Sequence, residues 1–229
     1  MSTKNINSII FLLIISIFPS SFSLSFNFSA IGHKDPFAES FNLPFINVTG
    51  DAYITDQGIQ LTPAGLNQTG RATYIEPLHL WDRASRNLTD FTTHFSFGIN
   101  SNGGNRHIDG LAFFLAPNGS SIMPWSFGGS LGLGNGTGSL NSSDYSFVAV
   151  EFDTYKNSFD PLSLPHVGID INSVESVNTT IWQNNNVTFG MKNDAWITYN
   201  ASNMMLSVEF TSHDSGNRSW RDDSPKSNT

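Results

Sequence analysis

An all-β fold, an antiparallel β-sandwich or jelly roll, is what the sequence predicts, and three observations carry that prediction. The 229 residues are 13% aromatic and only 13% charged, with 19 Phe, 19 Gly and 10 Pro. Such a mix favours short strands joined by turns over helices. Apolar residues alternate in short runs between turn signals, and no segment sustains a helical period or repeats another. The length suits a single domain.

Taken in order, the chain begins with a basic Lys4, an apolar run over residues 9–18 and the small residues around Pro19-Ser20-Ser21. This reads as a cleaved secretory signal peptide, residues 1–23. The run falls short of the ~20 apolar residues that span a bilayer, and no later stretch is long enough. Secretion is also implied by eleven Asn-x-Ser/Thr sequons, at Asn27, Asn47, Asn67, Asn87, Asn118, Asn135, Asn141, Asn178, Asn186, Asn200 and Asn217. Strand signals follow at residues 24–28 and 95–97, where apolar and polar residues alternate. Residues 111–115 and 147–152 are denser and suit strands covered on both faces. Residues 197–199 and 206–210 complete the set. Thr49-Gly50-Asp51, Pro63-Ala64-Gly65, residues 100–104 and the glycine-rich residues 128–138 break the pattern. The domain therefore runs over residues 24–211, and residues 212–229, which lose the apolar pattern, read as a polar disordered tail. The net charge of -8 argues against nucleic acid or an anionic membrane as a partner. The absence of cysteine excludes disulfides, thiol catalysis and Cys-based zinc sites.

The chemistry concentrates in Val150-Glu151-Phe152-Asp153-Thr154-Tyr155-Lys156-Asn157-Ser158-Phe159-Asp160 and the following His166-Val167-Gly168-Ile169-Asp170. On a strand, Glu151 and Asp153 share a face about 7 Å apart. An unpaired buried charge costs several kcal/mol, and a bound cation is the simplest reason to place acids on a core strand. Calcium takes six to eight oxygens, which Asp153, the Tyr155 carbonyl, Asn157 and Asp160 can supply. Glu151 and His166 add a mixed oxygen and nitrogen set that suits manganese. An exposed acidic edge and loop is the alternative reading of the same spacing.

Other patterns are weaker. Asp109 before residues 110–117 reads equally as a turn aspartate. Gly128-Gly129-Ser130-Leu131-Gly132 matches a nucleophile elbow in letters, but no helix follows it as that motif requires. The glycine-rich run lacks the phosphate-loop lysine, so its amides approach something closely instead. His33, His79, His94, His107 and His213 show no ligand spacing. Phe95, Phe97, Phe113, Phe114, Trp125 and Trp182 read as core.

Together these residues resemble the legume-type (L-type) lectins. The elements in family order are Ser25-Phe26-Asn27-Phe28, Gly50-Asp51-Ala52, Gly70-Arg71-Ala72 to Trp81, residues 91–97, residues 109–117, Gly129-Ser130-Leu131-Gly132-Leu133, residues 148–170, and Ala195-Trp196-Ile197 with Tyr199. The resemblance implies a concanavalin-A-like sandwich that binds glycans, of mannose/glucose or galactose type, beside adjoining manganese and calcium ions. Glu151, Asp153, Asp160 and His166 resemble the manganese ligands. Calcium shares Asp153 and Asp160 and takes Asn157 and the Tyr155 carbonyl. Sugar would meet Asp109, the Gly129 amide, Asn157 and the Tyr155 ring, and homo-oligomers are compatible with the family. The resemblance also implies a cis peptide between Ile108 and Asp109.

One departure matters. Family domains continue with further strands past residue 210, so the sequence reads as a C-terminally truncated domain missing those strands. No kinase signature or stop-transfer helix accompanies it. Two rival functions follow. A degenerate, sugar-inactive interaction module would arise from the missing strands. A jelly-roll glycoside hydrolase would need a second carboxylate where this chain has Lys156. The reading is a secreted glycan-binding protein and not an enzyme.

Overall fold

The structure, a computed structural model, describes residues 24–28, 45–82, 85–101, 109–134, 146–162, 165–182, 188–214 and 217–219. The leader at residues 1–23, Ile108 with its peptide to Asp109, the sequons at Asn135, Asn141 and Asn186, and the tail beyond residue 219 lie outside the described residues. The strands are β1 (Ile46–Gly50), β2 (Tyr53–Thr55), β3 (Gly58–Gln60), β4 (Gly70–Tyr74), β5 (Phe91–Phe97), β6 (Gly110–Leu115), β7 (Val148–Asp153), β8 (His166–Ile171), β9 (Asn178–Ile181), β10 (Asn193–Asn200), β11 (Met205–Phe210), β12 (Ser212–Asp214) and β13 (Asn217–Ser219).

Two sheets make the sandwich. One has the order β6-β7-β8-β9 and the other β11-β10-β5, all antiparallel. Alternation along the strands sends one set of side chains between them. Val150 and Phe152 from β7, Val167 and Ile169 from β8, Ala195 and Ile197 from β10, and Val208 and Phe210 from β11 form the core with Trp182. Phe152 is fully buried and meets Phe97 at 4.8 Å and the Trp182 ring edge-on at 5.6 Å. Burying an aromatic of this size stabilises the fold by roughly 1.5–3 kcal/mol.

The opposite face of β7 is covered as well. Ala149 packs with Leu133, Phe147 and Val174 in a second cluster flanked by Ala112 and Phe114. That explains the dense run at residues 147–152, which has no solvent face to advertise. Pairs of short strands, β1 with β4 and β2 with β3, accompany the sandwich.

Three expectations change. Residues 24–28 alternate in sequence but join no strand among the described residues; Phe26 instead stacks on Tyr74 at 4.0 Å. Burying an aromatic face needs no ladder partner, whereas a strand does. Trp125 is 74% exposed, not core, and sits in a loop with a left-handed backbone (φ 65°). Residues 212–219, expected to be part of an unordered tail, contain β12 and β13, paired from Ser212 with Ser219 to Asp214 with Asn217.

Candidate functional site: an acidic cluster on the outer face of the four-stranded sheet

Period-two alternation that buries Val150 and Phe152 turns Glu151 and Asp153 to the other face of β7. Cross-strand register then sets Asp153 opposite His166 and Glu151 opposite Gly168. Glu151, Asp153 and His166 are all buried, and each offers a ligand atom within 4.8 Å of the others. His166 Nε2 lies 3.1 Å from Glu151 Oε1. Gly168 leaves the space that the Glu151 side chain needs, since a Cβ there would sit 2.5 Å from Glu151 Oε1.

Sequence reasoning missed Ser176 and gave Asp170 no role. The Ser176 hydroxyl lies within hydrogen-bond reach of Glu151 Oε1 and of Asp170 Oδ1, the latter at 2.7 Å, and its single proton serves one of them at a time. The only signal for it was Gly168 on a strand, which marks close approach without naming what approaches.

Burial dominates the electrostatics. Desolvation pushes the Asp153 carboxyl up to about 8, against the Tyr155 backbone N–H that favours its charged form, and the neighbouring Glu151 and Asp160 charges push the same way as burial. Asp170 is also raised to about 8, first by burial and then by Glu151. Asp160 is raised by burial as well, partly countered by the Asn157 backbone N–H that donates to its Oδ2.

After β7 the chain turns sharply. The Tyr155 N–H donates to Asp153 Oδ1 at 2.6 Å. The Thr154 N–H and hydroxyl both donate to the Asp109 carbonyl, at 2.7 and 3.1 Å. Those bonds pin Asp109 beside this turn. Gly110 follows it with φ 159°, and a Cβ there would lie 2.2 Å from the Phe152 carbonyl oxygen, so only glycine lets β6 come this close.

A 3-10 turn over Gly128–Ser130 closes the site from the loop between β6 and β7. The Leu131 N–H donates to the Gly128 carbonyl at 2.9 Å, and the Gly132 N–H to the Ser126 carbonyl at 2.8 Å. This brings Gly128 near the Asp109 carboxylate, 3.6 Å from the position of an added Cβ, and lays Gly129 against the Asn157 carboxamide. Thus Asp109, Gly129 and Asn157, distant in sequence, share one rim, with Asp153, Asp160, Glu151 and His166 behind it. Tyr155 is half-buried at the same turn.

Two buried oxygens here, Asp153 Oδ2 and Asn157 Oδ1, have no hydrogen-bond partner among the described residues. Buried acceptors are normally satisfied. Oxygens left over next to a three-residue carboxylate and imidazole cluster are what a divalent cation would engage, so this donor set fits a metal ion.

Comparison with known proteins identifies the family of the chain. The family model described as legume lectin domain matches residues 23–227. Lectin 9 of Medicago truncatula is 40% identical over 175 residues, covering 72% of this chain and 63% of its own length. The chain thus spans less than two thirds of that relative. Among solved structures, the Lotus tetragonolobus seed lectin superposes with a TM-score of 0.70 at 34% identity, over 80% of this chain and 79% of its own. Lectin I of Ulex europaeus, in complex with the methyl glycoside of α-L-fucose, gives 0.68 at 32% identity, over 79% and 76%. These proteins are lectins and not enzymes. With the family match running across nearly the whole sequence and the sandwich superposing on solved lectins, the chain belongs to the legume lectin family.

Proposed function

We propose that this chain is a secreted carbohydrate-binding protein whose shallow glycan site is organised by calcium and manganese. The observation that carries the reading is the pair of buried oxygens, Asp153 Oδ2 and Asn157 Oδ1, that have no hydrogen-bond partner among the described residues. Glu151, Asp153, Asp160 and His166 are the manganese set; Asp153, Asp160, Asn157 and the Tyr155 carbonyl are the calcium set. The ions, when bound, supply positive charge that keeps these desolvated carboxyls ionised.

The rest of the chemistry belongs to the chain. Asn157, with its Oδ1 turned inward, presents its NH2 as a donor. Gly129 offers a backbone N–H, the Asp109 carboxylate accepts from sugar hydroxyls, and the Tyr155 ring covers a C–H face. Glycans of mannose/glucose or galactose type suit such a set, and the Ulex relative is itself in complex with a fucoside. The apolar run near the N-terminus and the sequons support export.

A sugar-inactive interaction module is the alternative reading. Calcium-dependent retention on immobilised mannose or galactose, run side by side, separates the two. Retention lost in EDTA after low-pH stripping and restored by calcium with manganese is the expected result. Retention that survives stripping unchanged refutes the metal-organised site, and no retention on a glycan array refutes the lectin reading.

A further inference from the structure

Among the described residues β9 ends the four-stranded sheet. A terminal strand presents unpaired N–H and C=O groups and invites another chain to add to it. The register of β9 on β8 sets Asn178 opposite Ile169 and Thr180 opposite Val167. Paired residues share a face, and Ile169 and Val167 are core residues. Asn178 and Thr180 therefore point toward the gap between the two sheets. There they line a shallow apolar groove with Val167, Ile169, Val208 and Phe210. Ile171, on the same face of β8 just past the end of β9, is 49% exposed.

A closed sandwich places apolar side chains at such inward positions. This strand places Asn178-Thr179-Thr180, an N-glycosylation sequon, and Asn178 is half-buried rather than sealed. We propose that Asn178 carries an N-linked glycan that lies over this open side of the sandwich, covering the groove and Ile171 and blocking strand addition at β9. The sugar's C–H faces supply the apolar cover, and its bulk and hydration keep a second chain away. In the attachment, the Asn178 Nδ2 displaces the pyrophosphate of a lipid-linked oligosaccharide donor. The Nδ2–C1 bond forms, the C1–O bond to pyrophosphate breaks, and one amide proton leaves with the released lipid pyrophosphate.

This inference rests on the secretion part of the proposed function, and its test keeps the two apart. The full chain is expressed in a eukaryotic secretory host, digested, and treated with a peptide N-glycosidase in isotope-labelled water, so that each occupied Asn is read as a labelled Asp by mass spectrometry. Asn67, Asn118 and Asn200, which are exposed, serve as internal controls. Label at Asn178 as well as at the controls is expected. Label at the controls with Asn178 unmodified overturns the inference and leaves export standing; no label anywhere overturns both. For the covering role, Asn178→Gln and Thr180→Ala should each lose the glycan and shift the protein to larger species in light scattering. Thr180→Ser, which keeps the sequon, should behave as the parent. Variants that lose the glycan yet stay as monodisperse as the parent overturn the covering role.

Discussion

Gly129 is the position where a single added methyl tests the site most directly. A Cβ there would lie 2.2 Å from Asn157 Oδ1, 2.4 Å from its Cγ and 2.6 Å from its Nδ2, whereas ordinary contact begins at 3.4 Å. The carboxamide must therefore retreat by about 1.2 Å, more than the width of the normal hydrogen-bond range. Retreat is not free, because the Asn157 Oδ1 is buried. Overpacking of this kind costs about 1–3 kcal/mol, which corresponds to roughly a 5- to 150-fold loss of affinity. The loss should fall on calcium and on sugar together, since the same carboxamide is proposed to serve both.

The assay is calorimetric titration of metal-stripped Gly129→Ala with calcium, followed by retention on the mannose and galactose supports. Gly65→Ala is the control. Its added Cβ would meet only the Gln68 side chain, at 3.3–3.5 Å, and Gln68 can move aside. Calcium affinity within about twofold of the parent, with unchanged retention, would refute the placement of Asn157 at the junction of metal and sugar.

Three further outcomes follow from the same geometry. Gly168→Ala would set a Cβ 2.1 Å from the Ser176 hydroxyl and 2.5 Å from Glu151 Oε1, so manganese binding should weaken at least as much, by ~1–3 kcal/mol; a titration matching the parent would count against Glu151 as a ligand. Phe152→Ala removes a fully buried ring at the centre of the core and should cost about 3–5 kcal/mol in urea unfolding; a loss below ~1 kcal/mol would mean the two sheets do not pack as described. In metal-stripped protein, burial raises Asp153 and Asp170 to about 8, above the ~3.9 of an unfolded chain, so the folded state holds protons that the unfolded state releases. Their contribution is fully present below about pH 4 and is lost as pH rises through about 8. Tm should fall by about 2–4 °C per kcal/mol lost between pH 5 and 8, and a flat or rising Tm would contradict it.

Periodicity made the central strands legible. Residues 147–152 and 206–210 read as strands because their apolar content needs a core on one or both sides, and β7 and β11 lie there. Glu151 and Asp153 could be placed on one face from alternation alone. Their contact with His166 could not, because it depends on the register of β7 against β8. The junction of Gly129 with Asn157 is set by a 3-10 turn and a left-handed Leu131, features with no spacing of their own. Ser176 was invisible for a similar reason: one hydroxyl in a loop carries no pattern until its two carboxylate partners are in place. Trp125 misled because composition assigns aromatics to cores, whereas this ring sits exposed in a loop.

The two faces of β7 also bind the site's fate to that of the fold. Phe152 and Val150 anchor the strand in the core between the sheets, while Glu151 and Asp153 place acidic side chains on its opposite face, which is also buried. Without a cation, burial favours the protonated form of the Asp153 carboxyl. A bound cation would favour the ionised form of Asp153 in place and give its buried Oδ2 a partner. Metal uptake must therefore release protons near neutral pH, and by linkage the metal stabilises the fold more at pH 8 than at about pH 5. The strand proposed to carry recognition thus also holds a buried oxygen, Asp153 Oδ2, that has no hydrogen-bond partner among the described residues and that a cation would engage.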